Sequence, residues 1–374
     1  MKQSVSPARQ SNIELLRIIA MVMVMTFHSD FMANLETIKV LLHTDAPAAW
    51  FMCFMQCSVV ICVNLFVLVS GYFTIRTSLR RLLKFMYMCL FWGLGITLGL
   101  LAANKLFASG PGVTWRMVLD MLVPGAGYWF AKSYVCLMIF APALNLLIRK
   151  LPGSGLLTFA VGLALFQFVG NTLTETYDDV FHGGFSVYSF FGLYLIGASI
   201  GRFRSRITLS PPVSLGAYFI LTVIATLLVI NALPTLTWFL SWHIRYNSLL
   251  VILSSLFFFL AFIRFRFTSR TVNFFAASAF AVYLLHEHPL MQPYDKMLFQ
   301  YLWNNYPWWY YPAFQAVVFA AIYLVATLVD QIRIWSWRLI DSHVDFERLL
   351  HRRIEPAILK AAARIFSPAL SKKL

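Results

Sequence analysis

The fold turns on the reading of Ile13-Glu-Leu-Leu-Arg17-Ile-Ile-Ala-Met-Val-Met-Val-Met-Thr-Phe-His28-Ser-Asp-Phe-Met32. A bilayer core takes about 20 consecutive apolar residues wound as one helix, and this run has that length. Similar runs follow at about 50–73, 82–104, 127–148, 156–171, 183–201, 212–231, 247–264, 273–292 and 311–332. The pattern predicts an all-α integral membrane protein with about ten transmembrane helices. The fifth run is the shortest of the set.

Composition agrees. Of 374 residues, 60% are hydrophobic and only 12% charged, about half the charged share of a soluble domain. So much apolar surface needs lipid as its solvent. The net charge of +15 does not point to nucleic acid, because the basic residues lie in short clusters between apolar runs. The first run has no small-residue cleavage site after it, so it is expected to stay as an anchor rather than leave as a signal peptide.

Lys and Arg set the orientation, since they collect on the cytoplasmic side. With the N-terminus in the cytoplasm, all but six of the 30 basic residues fall inside. The six left outside are Lys39, Lys105, Arg116, Lys132, Arg245 and Lys296. The acidic Glu175, Asp178 and Asp179 fall outside as well. Ten spans return the C-terminus to the cytoplasm. The chain then divides into a cytoplasmic tail (1–12), a transmembrane domain (13–332) and a basic tail (333–374). That tail sets Arg338, Arg348, Arg352, Arg353 and Arg364 among Trp335, Trp337, Leu349, Leu350, Ile354 and Ile358. It suits an amphipathic helix on the anionic inner leaflet. No attached soluble domain is expected.

The cysteines, Cys53, Cys57, Cys62, Cys89 and Cys136, all sit inside apolar runs. They show neither a disulfide framework nor a zinc spacing, and packing is the reading for them. No metal and no bound cofactor is expected.

Polar groups inside a span are expensive and therefore suspect. The first span holds Glu14, Arg17 and His28. Arg17 and His28 are eleven residues apart, or three turns plus about 20°, so they share a face about 16 Å apart. The imidazole titrates near neutrality and can take a proton from a hydroxyl. Span nine carries Ser278-Ala-Phe-Ala-Val-Tyr283-Leu-Leu-His286-Glu287-His288. Tyr283 pairs by helical spacing with His286 and Glu287, at about the depth of His28. An intramembrane Glu287 wants a partner, and Arg245 or one of the histidines could serve. After span two come Arg76, Arg80, Arg81 and Lys84, a cluster able to hold phosphates. Trp129 is a candidate acceptor-side aromatic. The aromatic run from Trp303 to Tyr311 fits either an interfacial belt or a surface for sugar rings.

Several of these segments resemble the acyltransferase-3 family of bacterial membrane acyltransferases. Asn12-Ile-Glu-Leu-Leu-Arg17, ten residues, then His28 is similar to its first-helix signature. Phe66-Val-Leu-Val-Ser70-Gly-Tyr-Phe73 resembles its second-helix segment. Tyr128-Trp129-Phe130 with Pro142-Ala-Leu-Asn145, Phe190-Phe-Gly-Leu-Tyr-Leu-Ile-Gly197, and Ser278 to His286 match further segments in family order.

The resemblance covers about residues 12–330. It implies ten core helices in the bacterial inner membrane and an acyl-coenzyme A donor, acetyl being the first choice. It implies as acceptor a hydroxyl of a surface polysaccharide or its lipid-linked precursor. It implies that His28 is catalytic, with Arg17 essential beside it. Donor phosphates are then expected at Arg76, Arg80, Arg81 and Lys84. Glu14, Ser70, Trp129, Tyr283, His286 and Glu287 are expected to bind or orient the acceptor. The family's Arg-x-x-Arg pair reads Arg81-Leu-Leu-Lys84 here, which keeps the charge and loses one guanidinium fork. Many members also carry an extracytoplasmic esterase-like domain. None is read here, so transfer is expected within the membrane domain or with a partner protein. Rival readings are a transporter or flippase for lipid-linked glycans, and a non-catalytic scaffold in glycan export.

Overall fold

The structure is a computed structural model. It describes residues 10–29, 40–76, 78–107, 112–174, 176–232 and 245–349, with residues 352 and 356. Lys2, Arg9, residues 30–32 of the first apolar run, Lys39, Glu175 and most of the basic tail lie outside the described residues. That part of the tail includes Leu350, Arg353, Ile354, Ile358 and Arg364.

The described chain is helical, with no strand among the described residues. Its principal helices are α1 (Ser11–Phe27), α2 (Ala46–Val59), α3 (Cys62–Phe73), α4 (Leu79–Phe107), α5 (Trp129–Lys150), α6 (Gly153–Gln167) and α7 (Val187–Phe203). They continue as α8 (Pro211–Ala232), α9 (Leu249–Arg264), α10 (Arg270–Ala276), α11 (Ala279–His286), α12 (Gln292–Asn305) and α13 (Tyr311–His343). Among the described residues, six stretches are long and apolar enough to cross a bilayer: Ala46–Phe73, Leu79–Leu106, Trp129–Lys150, Gly153–Asn171, Pro211–Asn231 and Trp308–His343. A seventh forms if Asp178–Gly184 and Val187–Phe203 count as one span bent by 50°. The chain is a multi-pass membrane protein.

Three expected spans take other forms. Helix α1 is 17 residues long before it widens into a π-type turn at His28 and Ser29. Helix α9 has 16 residues. The run expected at 273–292 is two short helices, α10 and α11, parted at Ala277 and Ser278. Helix α11 stops at His286 because Pro289 lies just beyond, and a proline disfavours helical geometry in the residue before it.

Local chemistry explains several helix starts. Asp45, Ser248 and Ser269 each accept a backbone N–H of the first turn, from Ala48 (3.2 Å), Val251 (3.2 Å) and Val272 (3.3 Å). Such caps satisfy donors that a helix start leaves unpaired. The Ser11 hydroxyl binds the Ser269 N–H (2.9 Å) and Asn12 donates to Phe262 O (2.9 Å). These two bonds tie the foot of α1 to α9 and α10.

Helices α3 and α7 touch backbone to backbone. A Cβ on Gly71 would lie 2.1 Å from Tyr194 O, and one on Gly197 would lie 2.4 Å from Leu68 O. Small residues four apart, Gly197 and Gly201, allow this approach, as they commonly do between membrane helices. Tyr194 Oη then accepts from Ile75 N (2.8 Å) and donates to Asn145 Oδ1 (2.7 Å). Asn145 closes the ring by donating to Ile75 O (2.9 Å). The two matched segments around Asn145 and Tyr194 therefore meet as one lock.

Helix α13 runs unbroken through residue 332, where the sequence places a domain boundary. Arg333, counted there as a tail charge, is buried and grips Asp330 through two bonds of 2.6 and 2.7 Å. Trp92 of α4 and Ser278 also donate to Asp330, at 3.2 and 3.0 Å. This buried pair joins α4, α13 and the foot of α11, the helix that carries His286.

Candidate active site

The first helix delivers His28 and helix α11 delivers His286 and Glu287, and the three meet. His28 Nδ1 lies 2.9 Å from Glu287 Oε1 and 3.4 Å from His286 Nε2. His286 Nε2 lies 3.8 Å from Glu287 Oε1. The expectation that His28 and His286 share a depth is met by contact. Of the two partners expected for Glu287, a histidine is the one found. Arg245 instead binds Asp178 Oδ1 (3.1 Å) and Asn171 O (3.0 Å).

Partners fix the proton positions. His286 Nδ1 lies 2.8 Å from Val282 O. A carbonyl only accepts, so Nδ1 carries the hydrogen and Nε2 keeps a lone pair. His28 Nδ1 faces that lone pair and a carboxylate oxygen, so it too carries its hydrogen. His28 Nε2 is left as the basic atom, with no hydrogen-bond partner among the described residues. Glu287 is steadied at its other oxygen, which accepts from Gln292 Nε2 (2.9 Å).

His28 lines a narrow chamber. Its walls are Met21, Val24 and Phe27 of α1; Cys62, Val63 and Phe66 of α3; Trp129 and Phe130 of α5; Tyr246; and Phe280 and Tyr283 of α11. Trp129 and Tyr246 stack with centroids 5.9 Å apart at 21°, and Phe185 packs against both. The Tyr283 hydroxyl is buried and has no hydrogen-bond partner among the described residues.

A polar knot holds Tyr246 in this wall. Asn171 Oδ1 accepts from Gly183 N (3.0 Å) and Asn247 Nδ2 (2.6 Å), and Asn171 Nδ2 donates to Asp178 Oδ1 (2.6 Å). Tyr246 N donates to Gly183 O (3.0 Å) and Tyr246 O accepts from Asn64 Nδ2 (2.9 Å). A buried strut stands nearby. His288 Nε2 donates to Gly93 O (3.1 Å), and its Nδ1 accepts from Leu290 N (3.2 Å).

Other expected site residues stand apart from the triad. Glu14 and Arg17 pair at 3.4 Å, and Glu14 is about 21 Å below His28 along the helix. Ser70 donates to Phe66 O (2.8 Å) and shares a bond with Tyr134 Oη (3.0 Å). Among the basic cluster, Arg80 is engaged in a forked ion pair with Asp341 of α13. Arg81 Nη1 donates to Arg76 O (3.3 Å). Trp303 and Tyr311 pack edge to face inside (5.1 Å), whereas Trp309 and Tyr310 are exposed.

Sequence reasoning missed Gln292, Tyr246, Asn171 and Asn64. Asn64 is a polar residue within a span and could have been flagged on that ground. Tyr246 lies in a connecting segment with no periodic signal. A further, wide and open hollow is lined by Arg204, Arg264 and Arg266, with Gln10, Asn12, Tyr72 and Phe267. The sequence shows these arginines only as inward-facing charge.

The fold defines a multi-pass helical membrane protein. The sequence profile of the acyltransferase-3 family, described as an acyltransferase domain, matches residues 10–329, nearly the whole chain. The chain belongs to that family. No curated protein and no solved structure matches it.

Proposed function

We propose that this protein is an O-acyltransferase of the bacterial inner membrane. It moves an acyl group, acetyl as first choice, from acyl-coenzyme A to a hydroxyl of a surface polysaccharide or its lipid-linked precursor. In this reading ten segments span the bilayer, α10 and α11 together forming one broken span, with both termini cytoplasmic. The observation that carries it is the His28–Glu287 pair, whose imidazole opens on an aromatic chamber.

The chemistry follows from the atoms. His28 Nε2 takes the proton of the acceptor hydroxyl while the oxygen attacks the thioester carbonyl carbon. The C–O bond forms, the C–S bond breaks, and the proton passes to the departing sulfur. Glu287 accepts the Nδ1 hydrogen bond, which orients the ring and stabilises its transient positive charge. The Tyr283 hydroxyl supplies a hydrogen bond to the carbonyl oxygen as negative charge develops there. A buried hydroxyl without a partner is costly, and a ligand carbonyl would satisfy it. Trp129, half-buried in the chamber wall and backed by Tyr246, offers a face on which acceptor sugar can stack.

The donor enters from the inner side with Arg17 beneath the chamber. Two basic surfaces can take its phosphates: Arg76, Arg81 and Lys84, or the hollow of Arg204, Arg264 and Arg266. The hollow is favoured, because it is concave and Arg80 is already held by Asp341. Arg264→Glu with Arg266→Glu should raise the donor KM at least about tenfold, an effect of about 1.4 kcal/mol. The same reversal at Arg76 and Arg81 should change it less. Equal or inverted effects would return the phosphates to the loop after α3.

The deciding experiment is glycan mass spectrometry on cells carrying the intact gene, a deletion, or His28→Ala at matched expression. An acyl mass increment should be present with the intact gene and missing from the other two. Loss of a general base lowers turnover by about 10²- to 10⁴-fold. An increment that survives in His28→Ala would end the general-base assignment.

A further inference from the structure

His28 and His286 are separated by 258 positions in the chain, so no linear ligand motif connects them. The fold nevertheless turns three ligand-type atoms toward one another: His28 Nδ1, His286 Nε2 and Glu287 Oε1. Their separations are 2.9, 3.4 and 3.8 Å. Zinc bound tetrahedrally at about 2.0–2.1 Å from nitrogen and oxygen sets its ligand atoms about 3.3 Å apart. The triangle is therefore close in size to one face of a zinc tetrahedron.

The surroundings suit a metal as well. His286 Nδ1 is held by Val282 O (2.8 Å), which leaves Nε2 facing inward. Glu287 Oε2 is held by Gln292 (2.9 Å), which leaves Oε1 facing inward. Metal-binding histidines and carboxylates characteristically have such outer partners.

We propose that His28, His286 and Glu287 form a binding site for a zinc-class divalent cation, and that the bound cation inhibits the enzyme. The proposal deepens the acyltransferase reading and, for the inhibition, rests on His28 being the base. Binding is a ligand exchange with no redox step. The aqua cation loses water, the His28 ring changes tautomer by giving its Nδ1 hydrogen to solvent while Nε2 takes one up, with no net proton release, and Nδ1, Nε2 of His286 and Oε1 coordinate. The His28 ring then carries its hydrogen on Nε2, the atom that must accept the hydroxyl proton.

The test uses full-length protein purified in detergent without a histidine tag. Zn²⁺ binding is measured by metal analysis after gel filtration and by competition with a fluorescent chelator, for the intact chain, His286→Gln and Glu287→Gln. Melting curves confirm that each variant is folded. The intact chain should retain one Zn²⁺ per chain, and each variant should bind at least tenfold more weakly. Acyl transfer by the intact chain should fall as the site fills and return on chelation. Absence of stoichiometric binding, or equal retention by both folded variants, overturns the site. If Zn²⁺ binds as expected but transfer is unaffected, or His28→Ala still transfers acyl groups, the site stands and the general-base reading fails.

Discussion

A single imidazole does nothing unusual at the end of a membrane helix; what changes its chemistry is the company it is given. Glu287 is the group that distinguishes His28 from a packing residue. Glu287→Gln keeps the shape but replaces the charged acceptor with a weaker amide oxygen. Its expected outcome is a lower kcat with little change in donor KM, because the carboxylate acts mainly as charge develops on the ring. Steady-state kinetics in detergent or proteoliposomes read this directly. An unchanged kcat would leave Glu287 as a structural partner of Gln292. Arg17 and Glu14 pair near the start of the same helix, away from His28, so under the proposed function any catalytic need for Arg17 is expected to act through the donor.

Among the elements, the contact of α3 with α7 bears on the site most directly. Helix α3 brings Cys62, Val63 and Phe66 to the chamber, and its register against α7 rests on two glycines that allow backbone contact. Gly71→Ala would drive a methyl group onto the Tyr194 carbonyl, which cannot move as a flexible side chain would. The expected loss is about 1–3 kcal/mol, as for other overpacked interiors. Gly99→Ala in α4 is the control. An added Cβ there meets nothing within 4 Å, and alanine favours a helix over glycine by about 1 kcal/mol. Thermal melts in detergent should therefore move down for Gly71→Ala and stay level or rise for Gly99→Ala. A stable Gly71→Ala variant would mean that the helices separate without cost.

For the whole molecule, the main expectation concerns sidedness. Helices do not announce which membrane face they meet, and the asymmetry of Lys and Arg is what orients them. Both ends of the chain are expected in the cytoplasm. Fusion of a fluorescent protein to the C-terminus should give fluorescent cells, and fusion of alkaline phosphatase there should give inactive enzyme. The reverse pattern would require either an odd number of spans or a chain inserted with both ends outside, and the second would invert the route from donor to acceptor. Under the proposed function, orientation also gives the two basic surfaces their meaning, since a coenzyme A donor would arrive from the cytoplasmic side.

That the chain is helical and belongs in a membrane was legible before any contact was known, and so was the family. Hydrophobic run length and charge asymmetry are local sums, legible without any contact. The sequence also singled out His28, Tyr283, His286 and Glu287, because ionisable or polar groups inside an apolar run stand out wherever they fold. Which polar groups meet followed from packing across the bundle. It paired Glu287 with His28 and Arg245 with Asp178. It buried Arg333 beside Asp330, occupied Arg80 with Asp341, and brought Tyr246 into the chamber wall. These pairings join residues far apart in the chain or depend on where a helix stops. A helix fixes which neighbours share a face, but the partner across the bundle follows from packing angles and glycine contacts that no single segment encodes.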